Sequence, residues 1–404
     1  MKKIVTLSMI GFLVASCNQG VRKTEDPNQI TVAAYYFPNY HTGDPRNEMN
    51  KGAGWSEWEL VKQAIPRWEG HLQPLVPEWG YTDEKDPEVM ARKIKAAVDH
   101  GVDCFIFDWY MYEDGPFLNR CIDEGFLEAK NCNDIQFALM WANHDWIEIH
   151  PYTRGTERRL LYPGTVSPER YDEICDHVIQ EYFQKPNYWK IDGKPYFSVY
   201  DVQKFVEGFG SLEAGRKAMD RMREKAVAAG LEGIHWNLVA WGRPVLPGES
   251  APANTAELLR LLGFDSSTSY VWIHHTQLPD TVTDYNWVRD RYFAHWTKAA
   301  EEYGVPYFPN VTMGWDATPR CDVSSDWANT GYPFMNTIGN NTPENFRQAL
   351  ELTKERLLSR ENGPRILNIN CWNEWTEGSY LEPDTRNGMA YLEAVKAVFE
   401  KDEK

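Results

Sequence analysis

Basic residues are scarce in this 404-residue sequence, in which 42 Lys and Arg stand against 59 Asp and Glu and give a net charge of −17. A surface of this sign repels a polyanion, because neutralising phosphates requires clustered Lys and Arg. The charge balance therefore argues against a nucleic-acid partner. Hydrophobic residues make up 42% of the chain and charged residues 25%, as in ordinary globular proteins, which argues against disorder.

Motifs of several enzyme classes are also missing. The sequence contains no Gly-x-Ser-x-Gly, no phosphate-binding loop and no His-Glu-x-x-His, so serine hydrolase, nucleotide-binding and zinc protease interpretations have no support. No Gly-x-Gly-x-x-Gly follows the first predicted strand, which disfavours an open dinucleotide-binding sheet. No Asp-x-Asp is present for a nucleotide sugar. We expect no cofactor.

Cysteine occurs seven times, without a Cys-x-x-Cys and without the spacing of a zinc template, so we expect no metal site. Cys104 and Cys371 lie inside apolar runs, which predicts that both are buried. In an oxidising compartment Cys121 and Cys132 could bridge a loop, although the sequence alone does not determine the pairing.

The first residues have the pattern of an export signal. Two lysines precede an apolar run over 4–14 that is too short to be an ordinary membrane-spanning helix. The run ends in Val-Ala-Ser before Cys17 and resembles the lipoprotein box of bacteria. This resemblance implies a signal peptide over 1–16, lipid on Cys17, a polar tether over 17–30, and an outer-membrane location at the cell surface or the periplasmic face. The alternative is plain cleavage with a coincidental cysteine.

One pattern repeats along residues 31–404: a short β-branched and aromatic run, then a longer stretch with helical apolar spacing. The short runs are mostly continuous in apolar residues, which is typical of parallel strands buried on both faces. Eight alternations without a linker predict one (β/α)₈ barrel with long loops, a single catalytic domain, rather than an open doubly wound sheet. The predicted strands are 31–37, 102–107, 135–141, 195–200, 234–240, 264–271, 305–312 and 365–371.

Helices and long inserts separate these strands. The inserts 39–83 and 144–167 follow the first and third strands, where a barrel places its catalytic face, and both are rich in Trp, His and Glu. Capping residues and apolar spacing predict helices over 86–101, 210–230, 255–263, 284–304, 342–363 and 387–399.

Glu374 and Glu377 are the strongest catalytic candidates, since they follow the eighth predicted strand and lie three residues apart. On a helical turn this spacing places the two Cβ atoms roughly 5 to 6 Å apart. Two carboxyls so close do not both ionise freely, so one can serve as an acid and the other as a base. Glycoside cleavage requires that combination. The alternative is that both glutamates cap backbone groups or pair with arginine.

Aromatic residues are abundant, with 17 Trp, 21 Tyr and 17 Phe in the chain. A core needs fewer rings of this size, and sugars offer flat apolar faces on which such rings can stack. Strand-end positions and the inserts supply the candidate substrate contacts, although each ring could instead pack the inserts. These candidates are Tyr36, Trp55, Glu57, Trp58, His71, Asp108, Tyr110, Trp141, Asn143, Trp272, Trp315, Trp372, Asn373 and Trp375.

Six motifs run in order from near residue 33 to residue 384 and resemble the glycoside hydrolase family 99-like proteins. That group includes the WbsX-type domain, often labelled a glycosyltransferase. The motifs are Tyr-Tyr-Phe-Pro at 35–38, Gly-Trp-Ser-Glu-Trp at 54–58, Gly-His-Leu-Gln-Pro at 70–74, the run 103–110, Trp-Ala-Asn at 141–143 with Trp146, and the segment 372–384 that begins Trp-Asn-Glu-Trp.

The resemblance implies a retaining, endo-acting glycosidase of the kind typified by endo-α-1,2-mannosidases. By this resemblance Glu374 deprotonates the 2-hydroxyl of the substrate to give a 1,2-anhydro sugar, and Glu377 acts first as acid and then as base. The expected partners are a polysaccharide or glycan substrate and, through Cys17, the membrane; we expect a monomer. The alternatives are a non-catalytic glycan-binding lipoprotein, which would not need both glutamates, and a glycosyltransferase-like protein.

Overall fold

Parallel strands form a nearly closed barrel in this computed structural model, which describes residues 29–400. The predicted signal peptide, Cys17 and the tether up to residue 28 lie outside the described residues. The barrel strands are β1 (Thr31–Tyr36), β2 (Cys104–Tyr112), β3 (Gln136–Trp141), β4 (Lys194–Val199), β5 (His235–Val239), β6 (Ser266–Thr268), β7 (Tyr307–Phe308), β8 (Asn310–Thr312) and β9 (Ile366–Asn370).

The strand order is β7-β6-β5-β4-β3-β2-β1-β9-β8, and every neighbouring pair in it is parallel. Only Pro309 separates β7 from β8, and it interrupts the ladder because proline has no N–H to donate. The two pieces are one barrel strand that pairs with β6 on one side and with β9 on the other. The predicted (β/α)₈ barrel is confirmed.

The predicted strand 264–271 is much shorter in the structure than the sequence indicated. Of 264–271, only β6 pairs in the barrel, and the chain then leaves the sheet and carries Tyr270 to the mouth of the barrel. Polar residues also face the interior: Ser198 donates to Asn237 (2.9 Å), and Asn368 donates to Thr268 (2.6 Å). These bonds satisfy the Ser198 hydroxyl and the Asn368 amide N–H, while Asn368 Oδ1 has no partner among the described residues. The later strands thus carry polar positions that the apolar pattern did not predict.

All six predicted helices are present, and capping explains where they begin. Asp86 accepts from the backbone of Glu88 at the start of α3, and Ser211 accepts from that of Ala214 at the start of α6. Four further helices, α1, α2, α4 and α5, were not predicted. The α-helices in residues 29–400 are α1 (Pro45–Lys51), α2 (Trp58–Gln63), α3 (Pro87–Asp99), α4 (Pro168–Val178), α5 (Val202–Phe209), α6 (Leu212–Ala228), α7 (Thr255–Leu262), α8 (Tyr285–Glu302), α9 (Pro343–Leu358) and α10 (Ala390–Phe399).

Small elements shape the loops around the barrel. Where a helix would follow β2, there is a single π-helical segment, Cys121–Phe126. Short strands pair Trp146–Ile147 with Leu160–Tyr162, and Asn373–Glu374 with Ser379–Tyr380. The others are Gly115–Phe117, Lys190–Ile191, Val282–Asp284 and Thr337–Gly339, together with 3₁₀ turns at Cys132–Asp134, Trp272–His274, Thr318–Arg320 and Trp375–Glu377 and a π-helical segment at Ile179–Phe183.

Each cysteine in the described range is a free thiol, so Cys121 and Cys132 form no bridge there. Cys104 and Cys371 are fully buried, as predicted. Between residues 29 and 400, the helices are all too short or too polar to cross a bilayer.

A buried ion network lies between α3 and the segment after β9. Lys93 Nζ lies 2.5 Å from Glu84 Oε1 and 2.6 Å from Glu382 Oε1, and all three side chains are almost fully excluded from solvent. Burial opposes a charge on Lys93, but the two carboxylates outweigh it and hold the pKa of Lys93 above its usual range. The network therefore balances two buried carboxylates with one cation.

The same network anchors the segment that carries the candidate catalytic glutamates. Trp372 and Trp375 donate from their indole nitrogens to the two oxygens of Glu382, at 3.0 and 2.8 Å. Asn373 donates to Glu84 at 2.8 Å. Since these side chains flank Glu374 in the sequence, their bonds fix the backbone from which Glu374 projects.

Replacing Lys93 by Met should strongly destabilise the protein, because it leaves two buried carboxylates without a cation. Breaking a buried ion pair in this way costs about 3 to 5 kcal/mol. Urea unfolding of the variant and the parent measures the loss. Lys95→Met on the same helix is the control, since Lys95 is 71% exposed and pairs with Asp99 at the surface. An equal effect of both substitutions would contradict a stabilising role for the network.

Candidate active site

A cleft opens at the carboxyl ends of the barrel strands, where barrel enzymes place their catalytic groups. It encloses about 680 Å³, including its mouth, which is open to solvent. Its walls come from β2, from the chain after β1, from the loops after β3, β4, β5, β6 and β8, and from the segment after β9. The polar and aromatic side chains that line it include Asp108, Tyr110, His144, Trp146, His150, Tyr200, Tyr270, Trp315, Arg320, Tyr332, Glu374 and Glu377.

Arg320 is the central cation of this cleft. Its Nη2 donates to Glu374 Oε1 at 2.7 Å and its Nη1 to Glu377 Oε1 at 2.5 Å, while Nε donates to Glu57 Oε1 at 2.8 Å. Nη1 also donates to the Tyr332 hydroxyl. All three nitrogens are therefore engaged, and the two glutamates both pair with arginine and face the cleft.

Glu374 and Glu377 differ in their remaining contacts. Tyr332 donates its hydroxyl to Glu377 Oε1 at 2.6 Å, and Glu377 Oε2 has no hydrogen-bond partner within residues 29–400. Glu374 Oε2 has only a long contact of 3.5 Å, with the hydroxyl of Tyr270. Each glutamate thus keeps one oxygen available to a ligand.

The environment favours the neutral form of these two carboxyls. Burial raises the pKa of Glu374 well above its usual range, and neighbouring carboxyls add to the rise while Arg320 opposes it. Burial also raises the pKa of Glu377, again against Arg320. Desolvation penalises a carboxylate, and two adjacent carboxyls penalise each other. The pair can therefore hold a proton at a pH where a solvent-exposed glutamate has lost it, as an acid and base pair requires.

Asp108 is a third carboxyl in the cleft. Its Oδ2 accepts from the Tyr270 hydroxyl at 2.9 Å, whereas its buried Oδ1 has no partner among the described residues. Burial raises the pKa of Asp108 well above its usual range. A protonated Asp108 can donate a hydrogen bond from its unpaired oxygen, so the cleft offers a donor as well as acceptors.

The insert after β3 supplies an uncharged aromatic wall. Trp146 stacks on His150, with ring centroids 5.0 Å apart and an interplanar angle of 8°, and Tyr110 meets Trp146 edge-on. Burial lowers the pKa of His144 to about 4 and that of His150 well below its usual range. Neutral imidazoles and indole offer flat faces with a few polar edges, which suits the apolar face of a sugar.

The buried carboxyl of Glu249 holds a loop at the edge of the cleft in place. Tyr200 donates to Glu249 Oε1 at 2.6 Å, and the backbone amides of Val245 and Leu246 donate to Oε2 at 2.6 and 2.9 Å. Burial raises the pKa of Glu249 to about 7. The contacts tie the 245–249 loop, which lines the cleft, to Tyr200.

A wider groove of about 1190 Å³, including open space, adjoins the cleft at Trp315, which borders both. In the groove His71 accepts the backbone N–H of Arg67 at Nδ1, so Nε2 carries the hydrogen and donates to Asp316 at 2.8 Å. Burial opposes the charge of Asp316, but His71, Thr318 and Gln73 together outweigh it and hold the pKa of Asp316 below its usual range. Trp68 stacks on His71 at 3.9 Å.

Some predicted site residues come together and others do not. Asp108, Tyr110, Trp315, Glu374 and Glu377 line the cleft, and His71 lines the adjoining groove. The other predicted contacts, which border neither space, are Tyr36, Trp55, Glu57, Trp58, Trp141, Asn143, Trp272, Trp372, Asn373 and Trp375.

Hydrogen bonds and packing place those ten residues in the supporting structure. The rings of Trp141 and Trp272 turn outward from the barrel, against α4 and α5 and against α8 respectively. Tyr36 donates to Glu84, as Asn373 does, while Asn143 bonds to the backbone of Asp201. Trp372 and Trp375 donate to Glu382, Trp58 donates to the Thr82 carbonyl, Trp55 is half-buried in the first insert, and Glu57 lies beneath Arg320.

Sequence reasoning missed several cleft residues. Arg320 and Tyr332 lie in the long loop after β8, and Tyr270 lies inside a segment that was predicted as strand. Position was the available signal, because a long loop after a barrel strand belongs to the catalytic face. Nothing in the local sequence marks Arg320 as the partner of residues 54 and 57 positions away.

The chain matches, over residues 32–395, the family model described as Glycosyltransferase WbsX. It belongs to this family. Curated relatives of this WbsX family member are the uncharacterized proteins WxcX of two strains of Xanthomonas campestris pv. campestris, each 26% identical over 378 residues. The match covers 91% of this chain and 49% of each relative, so the chain spans about half the length of these relatives.

Solved structures similar to this WbsX family member are glycoside hydrolase-like barrels. A glycoside hydrolase-like protein aligns with a TM-score of 0.57 at 13% identity, covering 92% of this chain and 94% of the other. The GH99 endo-alpha-mannosidase from Bacteroides thetaiotaomicron aligns with a TM-score of 0.51 at 14% identity, covering 91% and 95%. At such identities the similarity shows the fold, which is that of a glycoside hydrolase-like (β/α)₈ barrel.

The stability of the protein should fall relative to a Glu374→Gln variant as the pH rises from 4 to 8. A folded state that raises the pKa of Glu374 binds more protons than the unfolded chain above about pH 4.3, so it loses stability as the pH increases through that window. The amide removes this titration. Urea unfolding at several pH values measures the difference, with exposed Glu59→Gln as control. A difference between parent and Glu374→Gln that does not change with pH would contradict the raised pKa.

Proposed function

We propose that this protein is a retaining, endo-acting glycoside hydrolase that cleaves a polysaccharide or glycan at an α-glycosidic, mannosidase-like bond. The observation that carries the proposal is the pair Glu374 and Glu377, held by separate nitrogens of Arg320 in the cleft at the strand ends. A buried acid and base pair is what glycoside cleavage needs. The fold similarity to an endo-alpha-mannosidase supports the α-linkage.

The two glutamates take different roles in this proposal. Glu377, with a free Oε2 and a raised pKa, protonates the leaving glycosidic oxygen and then, as a base, activates water. Glu374 removes the proton of the 2-hydroxyl on the same sugar, and that oxygen displaces the leaving group to form a 1,2-anhydro sugar. Water opens this ring, so the anomeric configuration is retained after two inversions. A positioned acid or base contributes about 10² to 10⁴ in rate.

Endo action is supported by the continuity of the two spaces. Trp315 borders both the catalytic cleft and the groove that contains His71 and Asp316. A chain whose sugars occupy both would be cut internally rather than at its end. The unpaired oxygen of Asp108 and the wall of Trp146 and His150 supply hydroxyl and ring contacts for the sugar at the cleavage point.

A glycosyltransferase, the function in the family description, is the second candidate. A nucleotide sugar would bring a diphosphate into the cleft. Arg320 is the only arginine among residues 29–400 that lines this cleft, and three carboxyls and Tyr332 already engage its guanidinium. The carboxyls of Asp108, Glu374 and Glu377, which face the cleft, would repel it. The hydrolase is therefore the better fit. A non-catalytic glycan-binding protein would have no need of the Arg320-bound pair.

Glu377→Gln and Glu374→Gln should each lower kcat by about 10²-fold or more on a natural glycan, with little change in glycan affinity. With an activated aryl leaving group, which needs little protonation, Glu377→Gln should recover much of its rate while Glu374→Gln should not. Kinetics on both substrates, with exposed Glu59→Gln as the control, make the comparison. Parent-like turnover in both glutamine variants would contradict the assignment. So would a parent that binds glycans in a polysaccharide panel without cleaving any of them.

We also propose that the protein is an outer-membrane lipoprotein anchored through Cys17, a residue outside the described range. Cys17→Ser should move the protein from the membrane fraction to the soluble fraction, because stable anchoring requires two or more acyl chains. Fractionation followed by immunoblotting measures the shift, with Cys132→Ser as a matched control. Equal membrane partition of the parent and Cys17→Ser would argue against the anchor.

A further inference from the structure

Glu57 touches the catalytic pair only through another residue. It lies at the start of α2, is fully buried and does not line the cleft. Its side chain makes no capping bond with α2 and instead meets Arg320, whose Nε and Nη2 lie 2.8 and 2.7 Å from Glu57 Oε1. The carboxyl that a sequence motif placed among substrate contacts is therefore buried behind the guanidinium and outside the cleft lining.

Every other partner of Glu57 is also a hydrogen-bond donor. Thr376 donates its hydroxyl to Oε1 at 2.7 Å, and the Asn39 amide donates to Oε2. The orientation of Asn39 is set because its carbonyl oxygen accepts from Asn47 Nδ2 at 2.8 Å. Glu57 is thus a buried counter-ion of Arg320, paired with it at 2.7 Å.

This counter-ion changes what Arg320 does to the catalytic pair. A guanidinium with no other partner would stabilise negative charge on Glu374 and Glu377 together and remove the shared proton. With Glu57 bound to two of its nitrogens, Arg320 is neutralised locally. Arg320 still orients both glutamates through Nη1 and Nη2, but its positive charge favours their ionisation less strongly.

We propose that Glu57 is a positioning residue that acts through Arg320: it cancels the guanidinium charge so that Glu374 and Glu377 keep one proton between them, and so sets the pH range of activity. The inference rests on the proposed function for its meaning in catalysis. The charge of Glu374 and Glu377 is nevertheless a property of the protein itself, whether or not a given glycan is cleaved.

Other titratable or charged groups surround the cluster and remain unchanged in the test. Lys51 lies 3.7 Å from Glu148 and is also within electrostatic reach of Glu57. The groups that face Arg320, Glu57, Glu374 or Glu377 from the neighbouring elements are Tyr40, Lys51, Asp108, Tyr110, His144, His150, Tyr200, Tyr270, Tyr332 and Cys371.

Glu57→Gln should shift the whole bell-shaped pH profile of kcat to lower pH by about one unit or more, because removing one buried negative charge favours ionisation of its neighbours. At pH 7 the kcat of the variant should fall about tenfold or more on a natural glycan and much less on an activated aryl glycoside. The difference is expected because the substitution removes the proton of the acid, which an aryl leaving group needs little. Glu57→Asp, which keeps the charge, should retain the parental profile position. Glu59→Gln makes the same charge change at an exposed site of the same helix and should shift nothing.

A second measurement does not depend on turnover. In protein labelled with ¹³C at the side-chain carboxyls of glutamate, the signals of Glu374 and Glu377, assigned with their glutamine variants, should titrate at lower pH in Glu57→Gln than in the parent. Unchanged or upward-moving titrations, or an equal shift in Glu59→Gln, would overturn the inference. A parent that cleaves no glycan but shows the expected titration shift would overturn the proposed function alone.

Discussion

The ion cluster around Arg320 is the interaction on which the cleft depends. One guanidinium holds three carboxyls and the Tyr332 hydroxyl in fixed positions, and those groups come from the first insert, from the loop after β8 and from the segment after β9. Forming the cluster removes four ionisable groups from water, and burying any one of them without its partners would be unfavourable. The bonds from neutral donors such as Thr376 and Tyr332 reduce that cost by occupying the remaining lone pairs.

A second ion network supports the first from outside the cleft. Lys93, Glu84 and Glu382 hold the indoles on either side of Glu374, so the residue that must aim into the cleft has little freedom at its backbone. Catalytic groups work best when they are held in place before the ligand arrives. The abundance of tryptophan therefore has two origins. Some rings line the cleft. Others fix the backbone around the cleft, because their indole N–H groups donate to buried carboxylates.

The fold was predictable because its signal is local and repeated. Apolar runs, capping residues and glycines gave eight strands and six helices, and the position after the last strand identified Glu374 and Glu377. The short helix α4 was missed although Ser167 and Pro168 mark its start. The direction of each aromatic ring was not predictable: Trp141 ends one barrel strand and Trp315 follows another, but only Trp315 turns inward. Arg320 was missed because its partners are far away in sequence.

The contact between Glu57 and Arg320 joins positions 263 residues apart, and this separation constrains how the sequence can change. Losing either partner alone leaves the other as an uncompensated buried charge, so each is under selection through the other. Viable lineages should therefore exchange the two together or keep both. The first insert and the loop after β8 are surface segments, which usually tolerate variation. At these two positions, however, a substitution in one segment requires a matching substitution in the other.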